Sequence, residues 1–408
     1  MRHITCNELL NKQQYAYQPG RSTTDAARDV ISRVLSHLED RRQVAAIFCD
    51  LSRAFEMIDH SLLLKKLTRY GFKGKFHSTI ASFLKNRKQT TYVLNMRSDL
   101  EFIGDCAVPQ GSSMGNNLFL MLVNDITAAS PELEYVIYAD DTCIIVKADN
   151  SSSLELKINT AMVEISKWFS ANGMLLNLDK TNVIHFQLRN TKNSHLNIKV
   201  NNIIVPQVEQ IKYLGYVIDS GLTWSSHIDE LCNSLSSACF ALSRLAPSLS
   251  PTNLKKAYYG YFHSILIRGV DLWGLAANRD RVFKIQKRAL RIISHKPFDH
   301  PAKGLFISQK ILTLPAVYIL EACKYVRANL VNYTKTCTRS ENSRRLPMLV
   351  APIQKLAKVR KSLSVIGPKI YNKIPHDITA LSKDSLFVKK LKCLLLNQAC
   401  YTVEDFMK

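Results

Sequence analysis

Tyr135-Val136-Ile137-Tyr138-Ala139-Asp140-Asp141-Thr142-Cys143-Ile144-Ile145-Val146 is the stretch on which the architecture turns. Two short runs of β-branched and aromatic residues flank an Asp-Asp pair, the pattern of a β-hairpin carrying two carboxylates at its turn. An isolated pair of this kind is an ordinary turn, because Asp tolerates tight backbone conformations. Its meaning depends on its company. Earlier in the chain, Val44-Ala45-Ala46-Ile47-Phe48 is an apolar run of strand length that leads to another aspartate, Asp50. If strand and hairpin are sheet neighbours, three carboxylates converge, and hard divalent cations take such oxygen ligands.

Around these strands the first 190 or so residues alternate helical and strand patterns. A helix is expected over residues 24–38, and a second begins after Asp59, a good N-cap, and is stopped by Gly71. Residues 78–84 read as helix and 90–96 as strand. The loop Pro109-Gln110-Gly111-Ser112-Ser113-Met114-Gly115 leads into a helix from about Asn117 to Ile126. A helix ending near Phe169 and a strand Asn182-Val183-Ile184-His185-Phe186 complete a mixed α+β order. Beyond Asp219 the pattern turns helical and basic. Ile228, Leu231, Cys232, Leu235, Cys239 and Leu242 recur at helical spacing. In residues 281–293, Val282, Ile285, Ala289 and Ile292 form one stripe, and Lys284, Lys287, Arg288 and Arg291 form another, suited to phosphate.

The chain has 408 residues, 46% of them apolar, enough for a sizeable core and two or three domains. Its net charge of +22 is unevenly placed: residues 251–408 hold 29 Lys and Arg against 9 Asp and Glu. Such a field attracts a polyanion, nucleic acid before anionic membrane. The ten cysteines stand singly, with no CxxC pair and no zinc spacing, which predicts reduced core residues of an intracellular protein. No apolar run approaches the ~18–20 residues of a membrane span, and residues 1–10 lack the apolar stretch of a secretory signal. Neither GxxxxGK[ST] nor HExxH occurs, so a P-loop NTPase and a zinc hydrolase of those kinds are excluded.

Several segments appear in the order seen in reverse transcriptases: Cys49-Asp50-Leu51-Ser52-Arg53-Ala54-Phe55, Val108-Pro109-Gln110-Gly111-Ser112, Leu118-Phe119-Leu120 through Asn124-Asp125-Ile126, and Tyr138-Ala139-Asp140-Asp141-Thr142. Leu175 to Thr181 resembles the family's lysine-bearing segment, and Tyr213-Leu214-Gly215-Tyr216-Val217-Ile218-Asp219 its primer grip. Gln18 to Ala26 looks like the end of the fingers motif. The chain most closely resembles the reverse transcriptases of non-LTR (LINE-type, jockey-like) retrotransposons, from about residue 13 to 230, with weaker features at Trp273-Gly274 and Gln286-Lys287.

That resemblance implies a right-hand polymerase palm with partial fingers over residues 1–205, a primer grip and helical thumb over 206–296, and a basic, mainly helical region over 297–408. It implies an RNA-directed DNA polymerase using two Mg²⁺ ions, with Mn²⁺ an alternative, held by Asp50, Asp140 and Asp141. Lys180 would assist the departing pyrophosphate. Phe55 would crowd the sugar's 2′ position, Gln110, Gly111 and Arg21 would line the incoming deoxynucleoside triphosphate, and Leu214 and Gly215 would position the primer. An RNA template, a DNA primer and nuclear work at nicked chromosomal DNA follow from the same resemblance, with no membrane partner. The sequence departs from the family at Ala16-Tyr17-Gln18, where Gly-Phe-Arg is usual, at Glu56, where Asp is usual, and at Asn116, where Pro is usual. The fingers strands that precede the position of Gln13 in complete enzymes are expected to be missing. Two classes therefore stand open: an enzyme copying RNA into DNA, and a catalytically silent nucleic-acid-binding remnant of one.

Overall fold

The computed structural model describes residue 4 and residues 7–51, 54–109, 111–187, 195–200, 202–333, 335–336 and 348–408. It divides into two compact units, Met1–Gly221 and Leu222–Lys408.

The first unit is built on a four-stranded antiparallel sheet. Its strands are β1 (Gln43–Cys49), β2 (Glu134–Tyr138), β3 (Asp141–Ala148) and β4 (Asn182–Phe186), in the order β2-β3-β1-β4. Six of the seven β1 residues are buried, as a strand covered on both faces requires, which is why it reads as a continuous apolar run rather than an alternation. One face of β1, Ala45, Ile47 and Cys49, joins a core with Leu63 and Leu67, with Phe119 and Met121, and with Leu154, Ile158 and Ile165. These last three lie on helix Ser151–Ala171, whose N-cap Asn150 accepts the Ser153 N–H. The other face, Val44, Ala46 and Phe48, is buried too. The Phe48 ring meets Tyr213 edge-on at 5.0 Å. Helix Thr23–Glu39 packs against β1, β2 and β3 and starts in a capping box between Ser22 and Asp25.

Register brings the acidic positions together. Cys49 pairs with Thr142 in β3, so the next residue of each strand end, Asp50 and Asp141, lies at the same edge of the sheet. Tyr138 pairs with Asp141, leaving Ala139 and Asp140 as the two turn residues of the expected hairpin.

Several expectations shift. Residues 90–96 do not make one strand: Tyr92–Val93 pairs back on Met96–Arg97, because Leu94 and Asn95 both take positive φ and reverse the chain. The helix after the Pro109 loop begins at Ser113, capped by Ser112, and ends at Val123. The first compact unit extends past 205 to Gly221, because Gln210–Tyr213 and Tyr216–Asp219 form a hairpin tied to the sheet. The Val208 N–H donates to the Val183 carbonyl of β4 (2.9 Å), and Tyr216 and Thr24 share a hydroxyl hydrogen bond of 2.8 Å.

The second unit is mainly helical. Helix Ser225–Leu245 buries Ile228, Leu231, Cys232, Leu235, Cys239 and Leu242, the residues its spacing predicts, against helix Arg279–Ile293. On the latter the buried face is Val282, Phe283, Gln286, Ala289, Leu290 and Ile293, so Ile285 and Ile292 sit at its margin rather than its centre. Buried Gln286 explains the shift: its amide accepts the Leu314 N–H (2.8 Å) and donates to the Leu312 carbonyl (2.9 Å), fastening this helix to the next segment. Helix Leu314–Ala328 packs in turn on Leu363–Tyr371 and Asp384–Gln398. Among the described cysteines none is in a disulfide, and Cys106 and Cys393 alone are exposed. Among the described residues no helix is long and apolar enough to cross a membrane.

Candidate active site

Asp50 follows the last β1 residue, and its carbonyl accepts the Asn177 N–H (3.0 Å). Together with a bridge between Leu51 and Leu176, this brings the 175–181 segment beside the strand end. Lys180 consequently reaches Asp50, Nζ to Oδ2 at 3.8 Å, with both side chains well exposed. That pair is too open to add much stability. It sets an exposed cation beside Asp50.

Asp140 is exposed at the hairpin tip, and Asp141 is partly buried behind it. Burial, then the Asp140 carboxylate, then that of Asp50, push the Asp141 pKa up to about 6. Three oxygen-bearing side chains that repel one another fit a hard cation, which relieves the repulsion and tolerates water as additional ligand. Among the described residues no group of three or more His, Cys, Asp and Glu side chains is arranged to hold a metal ion, so the three carboxylates share an edge without forming a ready-made metal cage.

The raised Asp141 pKa yields a signed prediction. A carboxyl whose folded pKa lies above its ordinary value penalises the folded state above about pH 6, and the penalty fades as pH falls towards 4. Asp141→Asn is therefore expected to raise the melting temperature of the metal-free protein at pH 8, by roughly 2 °C, and to remove the gain between pH 6 and 4. Thermal scans at both pH values, with and without Mg²⁺, measure this. Equal melting curves for the two proteins at pH 8 would contradict it.

The remaining expected residues surround this edge. Phe55 is half-buried and stacks on Phe119 at 4.7 Å, and its carbonyl accepts the Val108 N–H (2.9 Å), which ties it to the Pro109 loop. Gly111 has φ +79°, and a Cβ there would meet nothing within 4 Å. The backbone conformation, not crowding, calls for glycine. Gln110 lies outside the described residues. Ser112 caps the following helix through the Gly115 N–H (2.9 Å) and donates to the Pro109 carbonyl (3.0 Å), holding the loop closed. Leu214 (φ +48°) and Gly215 (φ +83°) are the two turn residues between paired Tyr213 and Tyr216, a I′-type turn with an unusual leucine. Arg21 is turned onto the backbone: it donates to the carbonyls of Lys12 (2.7 Å) and Gln14 (2.6 Å) and covers the Tyr15 ring.

On the basic helix of the second unit, Lys284 and Arg288 are exposed. Lys287 instead lies over the rings of Phe283 and Tyr401, and Arg291 donates to the His300 carbonyl (2.7 Å). The stripe is thus half engaged with its own unit.

Two groups escaped the sequence reading. Tyr17, with φ +53°, stands near Asp140; burial, then the Asp140 carboxylate, raises its phenol pKa. Lys255, Lys310 and Lys392 come from three separate segments of the second unit. The Lys255 ammonium donates to the Gln309 carbonyl, and its pKa is lowered by burial, then by Lys310 and Lys392. No periodicity joins those three positions, so only the fold reveals them.

Residues 1–218 match the family described as Reverse transcriptase (RNA-dependent DNA polymerase). The chain is 24% identical over 307 residues to the probable RNA-directed DNA polymerase from transposon BS of Drosophila melanogaster, covering 72% of this chain and 34% of that protein. It is likewise 24% identical over 312 residues to the RNA-directed DNA polymerase from mobile element jockey of the same organism, covering 73% and 34%. The chain thus spans about a third of the length of the curated relatives it matches. Among solved structures, telomerase from Candida tropicalis with a fragment of telomeric RNA aligns at TM-score 0.40 and 12% identity, over 79% of this chain and 53% of that one. With its palm-like sheet, its acidic strand ends and a family match over more than half its length, the chain belongs to the reverse transcriptase (RNA-dependent DNA polymerase) family, and within it resembles the enzymes of LINE-type mobile elements.

Proposed function

We propose that this chain carries the polymerase chemistry of a non-LTR retrotransposon enzyme: attack of a DNA primer's 3′ hydroxyl on the α-phosphate of a deoxynucleoside triphosphate, templated by RNA. The observation that carries the reading is the placement of Asp50, Asp140 and Asp141 at one sheet edge, where burial, then the Asp140 and Asp50 carboxylates, raise the Asp141 pKa to about 6. The family uses divalent metal ions. Two Mg²⁺ ions on these carboxylates, with Mn²⁺ as a substitute, would activate the hydroxyl and neutralise the triphosphate.

The chain's own side chains then position and exclude. Lys180, exposed and loosely paired with Asp50, is free to swing towards a departing pyrophosphate. The open, left-handed Gly111 leaves the nucleotide an uncrowded edge, Gln110 would supply amide hydrogen bonds to it, and Arg21 braces the neighbouring 12–14 segment. The Leu214-Gly215 turn presents the primer terminus. Residues 1–205 would serve as partial fingers and palm and 206–296 as primer grip and thumb, and the basic 297–408 region would contribute charge for phosphates. Lys284 and Arg288, with Lys287 and Arg291 at their margin, meet backbone phosphates. Nuclear work on chromosomal DNA accords with the mobile-element relatives.

Phe55 supplies the sugar discrimination. Its ring is fixed by stacking on Phe119, so it can reject a 2′ hydroxyl by bulk. Phe55→Ala is expected to raise the ratio of ribonucleotide to deoxynucleotide incorporation by about 10²-fold, the scale of steric discrimination between analogues differing by a hydroxyl. Competing single-nucleotide incorporation measures it, and an unchanged ratio would remove Phe55 from this role.

The reading as a whole is tested by primer extension on an RNA template with Mg²⁺ and deoxynucleotides. Extension supports it. No extension, with RNA binding that weakens as salt rises, would make the chain a silent binding remnant.

A further inference from the structure

The acidic turn is held from outside its own hairpin. Ala139, immediately before Asp140, takes φ +55°, while Asp140 does not take a positive φ. A positive φ at the first of two turn residues is the arrangement of a II′ turn, a position that favours glycine. An L-residue there carries a steric cost, so something must hold it. Gln14 does. Its side chain is buried, 2% exposed, and its amide oxygen accepts the Ala139 N–H (3.2 Å) and the Ala16 N–H (2.9 Å).

Gln14 is itself clamped. It pairs with Ile137 of β2 in a parallel bridge. The Tyr15 N–H donates to the Ile137 carbonyl (2.7 Å), and the Ile137 N–H donates to the Gln13 carbonyl (2.9 Å). The Gln14 carbonyl accepts from Gln18 Nε2 (2.8 Å) and from the Arg21 guanidinium (2.6 Å). A short polar segment thus adds an edge to β2 and sends one buried amide into the turn that carries two carboxylates.

We propose that Gln14 is a positioning residue of the active site: by holding the Ala139 N–H it fixes the left-handed turn and aims the Asp140 and Asp141 carboxylates at a shared divalent cation. This rests on the reading of those aspartates as cation ligands. Gln14 touches no reacting atom. Its effect passes through the geometry of the turn, and active-site geometry loose by about 1 Å is enough to impair function.

The test uses the full chain and Mn²⁺ alone, with binding followed by electron paramagnetic resonance and folding by thermal melting. Gln14→Leu keeps the bulk and removes the acceptor. It is expected to weaken Mn²⁺ binding about tenfold while the protein remains folded. Adding Ala139→Gly is expected to recover most of that loss, because glycine adopts the turn conformation unaided. A purely structural role would lower the melting temperature and leave the Mn²⁺ affinity of the folded protein unchanged, which would overturn the proposal. If Gln14→Leu does not fold, Gln14→Asn, which withdraws the oxygen by one methylene, takes its place with the same expected loss and the same overturning result. Asp140→Asn separates the two levels. Wild-type Mn²⁺ binding that is insensitive to Asp140→Asn overturns the ligand reading and this inference with it, whereas sensitivity to Asp140→Asn without sensitivity at Gln14 overturns the inference alone.

Discussion

Asp140→Asn is expected to lower RNA-templated nucleotide incorporation by about 10³-fold or more while leaving the fold intact. A cation at the acidic edge contributes several kcal/mol of charge stabilisation to phosphoryl transfer, and each 1.36 kcal/mol is tenfold in rate. Asn keeps the shape and one oxygen but loses the charge. Asp140 is exposed at the hairpin tip and adds to the burden on Asp141, so its neutralisation relieves repulsion rather than removing a packed contact. Single-turnover extension should collapse with the melting temperature unchanged or raised. Loss of both together would point to a structural role, and retained extension would remove Asp140 from the chemistry.

The largest effect on stability is expected in the second unit. A Cβ added at Gly274 would meet the Val270 carbonyl oxygen and would lie 2.6 Å from Cδ2 and 3.3 Å from Cγ of Tyr318. Neither neighbour yields readily: the Gly274 N–H donates to the same Val270 carbonyl (2.7 Å), and Tyr318 is 1% exposed. Gly274→Ala should cost about 1–3 kcal/mol, the range of overpacking in tight cores, and lower the unfolding temperature of this unit by roughly 5 °C. Gly304→Ala is the control. It lies in helix Ala302–Ser308 with nothing within 4 Å of its added Cβ, so helix propensity predicts a gain of up to about 1 kcal/mol. Calorimetry on both variants decides the matter, and equal shifts would show that crowding at Gly274 is not what limits substitution.

The parts of this architecture that were legible in the sequence are those set by local chemistry. A short unbroken apolar run of strand length leading to Asp50 reads as a strand buried on both faces, and β1 is that strand. The hairpin of residues 134–148 was visible because β-formers flank two residues that tolerate turns. Features fixed by distant partners were not. Gln14 sits in a polar run that reads as loop, and its importance comes from a hydrogen bond to Ala139. The partners of half of the basic stripe were hidden for the same reason, since Tyr401 and the His300 carbonyl, which engage Lys287 and Arg291, lie outside the helix. The turn at Leu94-Asn95 was hidden because leucine gives no warning of positive φ.

The order of strands has a further consequence, for synthesis. β1 lies between β3 and β4, yet its seven residues leave the ribosome first, and its two partners begin only at Asp141 and Asn182. At about 5–20 residues per second, both edges of Gln43–Cys49 wait roughly 5–30 s for their partners. The waiting segment is apolar, uncharged and free of proline, the composition that aggregates when exposed. A nascent chain of this design leaves its central strand exposed to aggregation until translation has delivered the neighbours.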